Sequence, residues 1–275
     1  MRLLFIGDVV GRSGRAIVEE RLPGLIADHA IDLVILNGEN AAGGFGITED
    51  IHTFFLNCGV DVVTTGNHVW DQREALEFCS RYDNFLRPAN FPAGTPGRGS
   101  GLFTARNGAR VMVMNVMGHL FMHPTLDDPF RTVNEALAAC PLSEQADAIV
   151  IDFHAEATSE KVSMGHFTDS RVSLVVGTHT HVPTADHQIL NGGTAYISDV
   201  GMTGDYDSSI GMGKEPPLQR FLTKLPGERM EAAQGPATLC GVAVEIDDDT
   251  GLANAIEPLR LGPRLSEHLP SFFAA

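Results

Sequence analysis

Two histidines one residue apart, in Gly177-Thr178-His179-Thr180-His181, follow a Val-rich run from Val172 to Val176 that reads as a buried strand. Residues i and i+2 of an extended segment point the same way, so both imidazoles can face one site. Similar side chains recur at the ends of other apolar runs. Asp8 follows Leu3–Ile6, Glu39 and Asn40 follow Leu33–Leu36, Asn67 and His68 follow Val60–Thr65, and His154 follows Ala148–Ile151. Each alone has a plainer reading. Asp8 caps a turn, Glu39 is a solvated loop charge, Asn67 sits in an Asx turn, and His154 is a satisfied core histidine. Recurrence at the same end of successive strands is what those separate readings do not explain, because ligands of open α/β sheets gather at the carboxyl ends of strands.

The chemistry of this set is that of a transition-metal site. Carboxylate, amide and imidazole donors together suit Mn, Fe or Zn better than Mg or Ca, and the lack of thiolate argues against a structural zinc site. The donors outnumber what one tetrahedral ion needs. Two ions about 3.5–4 Å apart, bridged by a carboxylate and a hydroxide, would use them and would hydrolyse phosphate esters by in-line attack. His68, directly after Asn67, is placed to protonate the leaving oxygen.

The elements that must carry these residues alternate. Leu3–Ile6 reads as a strand, Ser13 as the cap of a helix to about His29, and Leu33–Leu36 as a second strand. Thr48 caps a helix ending near Cys58-Gly59, Val60–Thr65 is a third strand, and Asp71 caps a helix through Cys79. Short loops between them imply parallel strands with right-handed crossovers. Residues 87–101, rich in Pro and Gly, read as a long loop. Asn107-Gly108 marks a hairpin between Leu102–Thr104 and Arg110–Val116. Pro129–Ala139 and Ser159–His166 read as helices. A hairpin-like pair surrounds Asn191-Gly192-Gly193, and Thr238–Ile246 and Leu252–Leu259 alternate like antiparallel strands. The expectation is one α/β domain over 1–275, with a mixed sheet or two sheets face to face.

Composition narrows the function. A net charge of −16, with only 19 Lys and Arg, argues against stable duplex nucleic-acid binding through phosphate neutralisation. Small anions remain accessible if bound cations change the local field. Cys58, Cys79, Cys140 and Cys240 are scattered, as in a reducing cytoplasm, and no apolar stretch is long enough to span a bilayer. A cytoplasmic protein is expected, with homo-oligomerisation left open.

At this point the motifs resemble those of the calcineurin-like metallophosphoesterases. That pattern runs D-x-H, G-D, G-N-H, a distant His, then G-H-x-H. Here it is met by Gly7-Asp8, Gly38-Glu39-Asn40, Gly66-Asn67-His68, His154 and Gly177–His181. Val10 stands where the His of D-x-H belongs, and Glu39 replaces the usual bridging Asp. Both departures are similar to the YmdB-like subfamily, whose blocks Gly7–Gly11, Asn37–Ala41, Thr65–Trp70 and Asp199–Gly204 also resemble. The likeness runs from Met1 to about Leu261 and leaves 262–275 as a C-terminal tail. It implies a four-layer α-β-β-α metallophosphoesterase sandwich with mixed sheets. One metal would take Asp8, Glu39, Asn40 and His181, and the other Glu39, Asn67, His154 and His179. Glu39 would bridge, Asn40 would replace the missing histidine, and His68 would be the general acid. The implied activity is hydrolysis of small phosphodiesters, with 2′,3′-cyclic nucleotides as the associated substrates. The oxygen-rich set suggests Fe or Mn over Zn.

Other features carry less. Gly7, Gly11 and Gly14 read as a tight turn rather than a dinucleotide site, and Arg12 and Arg15 as solvated helix charges. The loop from Asp199 to Gly211 is either a wall of the site or purely structural. His119 and His123 read as unliganded, and no G-x-S-x-G elbow is present. Two alternatives share the same residues: a nucleotide- or metal-sensing regulator with low turnover, and a phosphomonoesterase or 5′-nucleotidase.

Overall fold

The computed structural model describes residues 1–274. Its first part contains β1 (Arg2–Ile6), α1 (Gly11–His29), β2 (Leu33–Asn37), α2 (Glu49–Asn57), β3 (Val62–Thr64), α3 (Ala75–Phe78) and β4 (Phe85–Leu86). Then come β5 (Ser100–Thr104), β6 (Arg110–Met117), α4 (Pro129–Ala139), β7 (Ala148–His154), α5 (Thr158–Thr168), β8 (Leu174–Thr178), β9 (Gln188–Ile189) and β10 (Ala195–Ile197). The last elements are α6 (Glu215–Thr223), β11 (Leu239–Ile246) and β12 (Ala253–Leu261). No helix among the described residues is long and apolar enough to cross a membrane.

Two six-stranded sheets form, in the orders β12-β11-β1-β2-β3-β4 and β5-β6-β7-β8-β10-β9. Both are mixed. β1 to β4 run parallel, β11 lies antiparallel to β1, and the edge strand β12 lies antiparallel to β11. β6, β7, β8 and β10 run parallel between antiparallel edges β5 and β9.

The period-2 alternation of the strands builds four layers. Leu3, Phe5, Leu33 and Ile35 point inward and meet Val111, Val113, Val150 and Val176 of the second sheet in a buried core. The alternate residues Leu4, Ile6, Val34 and Leu36 pack outward with Val18 and Leu22 of α1 and Phe55 of α2. On the far side Met112, Met114, Ile149 and Ile151 pack with Val133 and Leu137 of α4 and Met164 of α5. This is the four-layer α-β-β-α sandwich with mixed sheets, in its face-to-face form.

Local signals hold with instructive exceptions. Thr48 caps α2 by accepting from the Ile51 amide. The Asn107-Gly108 hairpin joins β5 to β6, with Gly108 at φ 92°. Helix α1 does not wait for Ser13; it begins at Gly11, whose amide donates to Asn40 O, so the loop carrying Glu39 is tied to the helix start. Asp71 caps no helix. It accepts from His68, and α3 is only one short turn from Ala75. Helix α6 is an addition. Its Pro216 and Pro217 fall in the first turn, where proline is tolerated because the missing N–H would be unpaired anyway. The tail after Leu261 folds back, and Phe273 stacks on His29 with centroids 4.6 Å apart.

Candidate metal centre

The carboxyl ends of β1, β2 and β3 in one sheet and of β7 and β8 in the other meet at one edge. All seven expected ligands lie there. Asp8, Glu39, Asn40 and His154 are essentially inaccessible. Glu39 Oε1 lies 3.1 Å from His154 Nε2, and Asp8 Oδ1 lies 3.9 Å from His154 Nδ1. Asn67 Oδ1 and His179 Nδ1 stand 2.9 and 3.1 Å from His154 Nε2. Glu39, Asn40, His68, His179 and His181 line one cleft of about 940 Å³. Gly66 is required by this crowding, since a Cβ there would fall 2.3 Å from His154 Nε2 and 2.4 Å from Glu39 Oε2.

The hydrogen bonds around the imidazoles fix which nitrogen is free. His154 Nδ1 faces Thr178 Oγ1 at 2.9 Å, and that hydroxyl donates to Asp152 Oδ1 at 2.7 Å. His154 Nδ1 is therefore the donor, and Nε2 presents a lone pair in the neutral ring. His181 Nδ1 faces the carbonyl of Ile210 at 2.8 Å, which leaves its Nε2 free in the same way. His179 Nε2 lies 3.3 Å from Glu156 Oε2, leaving Nδ1 for the centre. A ring nitrogen held by a carboxylate, carbonyl or hydroxyl while the other points inward is the usual support of a metal-ligating histidine.

The donor set fits a cation on an independent observation. Asp8 Oδ1, Glu39 Oε1 and Asn40 Oδ1 are buried acceptors without a hydrogen-bond donor. Glu39 Oε1 is within reach of His154 Nε2, but the contact is not aligned as a hydrogen bond. Asn40 donates its amide nitrogen to Gly44 O, so its oxygen is the atom turned inward. Orphaned buried acceptors are costly, and several converging on one spot are stabilised by a positive charge. Glu39, His154 and His179 are close enough to share one ion.

Electrostatics follow from the same crowding. Burial works to lower the His154 imidazole, but the Glu39 and Asp8 carboxylates outweigh it and hold it up at about 9. Burial works to raise Glu39, and His154 overrides it, so the Glu39 carboxyl lies below its ordinary value. Burial raises Asp8. Burial, assisted by the charge of His154, drives His179 down to about 3, so this ring stays neutral. A proton at His154 and a cation at the centre thus compete for the same lone pair.

A match to the family described as YmdB-like protein covers residues 4–259. The chain belongs to the YmdB-like family. It is 50% identical over 257 residues to the Bacillus subtilis 2′,3′-cyclic-nucleotide 2′-phosphodiesterase, spanning 94% of this chain and 96% of that protein. A crystal structure from Thermus thermophilus superposes with a TM-score of 0.88 at 43% identity, over 95% of this chain and 99% of the other. The Bacillus subtilis calcineurin-like phosphoesterase YfkN shares the fold at a TM-score of 0.58 and 13% identity, over 95% and 90% of the two chains.

Within this YmdB-like chain several supporting residues escape sequence reasoning. Asp152, fully buried and raised by that burial to about 7, also accepts from Thr64 Oγ1 and Asn37 Nδ2. Lys161 and Asp199 form a buried pair at 2.9 Å. Lys161 Nζ also donates to Thr178 O, while Asp199 accepts from Thr180 N, Thr180 Oγ1 and Gly201 N. This clamp holds a loop in which His179 and His181 both take left-handed backbone, at φ 98° and 66°. The 199–211 loop therefore supports the site through Asp199 and Ile210, and Ser209 and Ile210 also line the cleft. The glycine pattern is structural: a Cβ on Gly14 would fall 2.3 Å from Thr203 O.

Proposed function

We propose that this chain is a dinuclear metal-dependent phosphodiesterase of small cyclic nucleotides. Asp8, Glu39, Asn40 and His181 would hold one ion, and Glu39, Asn67, His154 and His179 the other, with Glu39 bridging. The observation that carries this reading is the three orphaned acceptors, Asp8 Oδ1, Glu39 Oε1 and Asn40 Oδ1, beside the inward lone pair of His154. Two such ions supply Lewis acidity toward phosphoryl oxygens and a nucleophile at neutral pH. The oxygen-rich, thiolate-free donors favour Mn or Fe over Zn.

The chain's own groups do the rest. Glu39 Oε2 accepts from the His68 amide at 3.0 Å, which fixes the carboxylate and the start of the His68 turn together. His68 stands in the cleft with Nδ1 2.8 Å from Asp71 Oδ2. The Asp71 carboxylate accepts from Nδ1 and fixes the ring, so Nε2 is the nitrogen left to deliver a proton to the leaving oxygen. Phe45 packs edge-on against His68, with centroids 5.2 Å apart, and limits the ring's freedom. The four cysteines are free thiols, which supports a cytoplasmic setting.

The test is hydrolysis of 2′,3′-cyclic AMP and of p-nitrophenyl phosphate by chelator-stripped and manganese-reloaded protein. Activity restored by the metal, with the cyclic diester preferred, is the expected result. Preference for the monoester would make the chain a phosphatase. Equal inertness of stripped and reloaded protein would remove the enzymatic reading.

A further inference from the structure

The metal centre accounts for only part of its cleft. Another part of the lining comes from α6 and the segment after it, and its composition is unlike that of the centre. Phe221 and Leu225 line the cleft yet are 72% and 66% exposed, and Ile210 is 56% exposed. Large apolar side chains left open on a cleft beside a reactive centre mark a surface that a ligand covers. The cleft, at about 940 Å³, stands at the upper end of the range for small-molecule sites, roughly 300–1,000 Å³. It therefore has room beyond the phosphoryl group at the centre.

Charge sharpens the reading. Arg220 and Lys224 line the same cleft, and among the described residues their side chains have no carboxylate partner. Lys224 Nζ instead lies over the Phe221 ring, 6.0 Å from its centroid. Two unpaired cations flanking an exposed aromatic ring, in a chain of net charge −16, suit a ligand that is both aromatic and anionic. Cations at the end of α6 also suit the helix dipole, but the dipole gives no reason for Phe221 to be open beside them.

We propose that α6 and the following segment form the nucleoside wall of the substrate site. Phe221 stacks the base, while Arg220 and Lys224 receive a phosphate on the 5′ side of the reacting ribose. The inference rests on the phosphodiesterase reading above and extends it. The preferred substrate is a 2′,3′-cyclic nucleotide that also carries a 5′ phosphate, either as a free 5′-phosphorylated nucleotide or as the end of an RNA chain.

The experiment compares kcat/KM of the manganese-loaded protein for four substrates. These are 2′,3′-cyclic AMP, its 5′-phosphorylated form, a diadenosine dinucleotide ending in a 2′,3′-cyclic phosphate, and bis-p-nitrophenyl phosphate. The wild type should favour the 5′-phosphorylated compound over bare 2′,3′-cyclic AMP by about tenfold. Arg220→Gln/Lys224→Gln should bring that ratio close to one. Phe221→Ala should lower the ratio of 2′,3′-cyclic AMP over bis-p-nitrophenyl phosphate by about tenfold, mainly through KM. A dinucleotide no better than the 5′-phosphorylated nucleotide assigns the site to the free nucleotide, and a further gain assigns it to an RNA end. Metal content and melting temperature check that the variants fold. Both ratios unchanged, with 2′,3′-cyclic AMP still hydrolysed, would overturn the wall while leaving the phosphodiesterase reading intact. So would a Phe221→Ala variant that alters only the oligomeric state in light scattering, since the apolar face would then belong to a second copy. Hydrolysis of bis-p-nitrophenyl phosphate without any cyclic nucleotide would overturn both readings.

Discussion

Replacing Lys161 by Met separates folding from ligand positioning at this centre. Lys161 is 2% exposed, and its ammonium bonds Asp199 and Thr178 O at 2.9 and 2.8 Å. Without it Asp199 is left as an unpaired buried charge, which costs about 3–5 kcal/mol. The loop it clamps holds His179 and His181 at positive φ. Each such residue costs on the order of 1–3 kcal/mol, so roughly 2–6 kcal/mol of backbone strain is offset by the clamp and its neighbours. Lys161→Met should therefore lower the unfolding free energy of chelator-treated protein in urea by about 3–5 kcal/mol. The double variant Lys161→Met/Asp199→Leu removes the stranded charge and should regain part of that stability, the rest staying lost to the donors that Asp199 no longer accepts. It should not regain manganese affinity, because Thr180 N, Thr180 Oγ1 and Gly201 N have lost their common acceptor. Competition with a chromophoric chelator should show at least a tenfold weaker Kd in both variants. A double variant that binds manganese as tightly as wild type would refute the reasoning, since the loop would then hold its histidines without the clamp.

Other perturbations have distinct signatures. Asn67→Ala removes an oxygen 2.9 Å from His154 Nε2 and should lose one metal with nearly all activity, as read by elemental analysis alongside turnover. His68→Ala should keep both metals and slow poor leaving groups far more than good ones. Equal losses across a leaving-group series would count against proton donation. His52 is buried among Phe78, Tyr82 and Phe85, and both its ring nitrogens lack partners. Burial depresses it to about 4, against an unfolded value near 6.5. Its contribution is complete above pH 6.5 and is lost as pH falls toward 4, because only the unfolded chain takes up the proton in that window. Over that span the loss amounts to roughly 3 kcal/mol. Urea midpoints at pH 7 and 4.5 should differ less for His52→Leu than for wild type, and identical pH dependence would contradict this.

How much was readable in the sequence depends on the range of the interactions. Strands β1 and β2 show their two buried faces in a few residues, and the turn after each carries a carboxylate of the type that metal sites use. The gathering of Asp8, Glu39, Asn67, His154 and His179 at one edge of the sheets was legible for that reason. The residues that orient them were not. Lys161 and Asp199 are 38 residues apart, and Thr64 and Asp152 are 88 apart. Nothing local distinguishes a buried partner of this kind from a solvated polar residue. Asp71 looked like a cap because Asp before a helix usually is one, yet His68, three residues earlier, competes for the same carboxylate. Helix α6 was hidden by its prolines, and with it the apolar and cationic part of the cleft.

Anomalous scattering at the metal edge, from crystals of protein purified without chelator or added metal, tests the dinuclear centre most directly. Two peaks about 3.5–4 Å apart are predicted, with Glu39 between them, Asp8, Asn40 and His181 on one, and Asn67, His154 and His179 on the other. Soaking the crystals in manganese and still finding no peak, or finding a single peak that leaves Asp8 and Asn40 without a partner, would contradict the account.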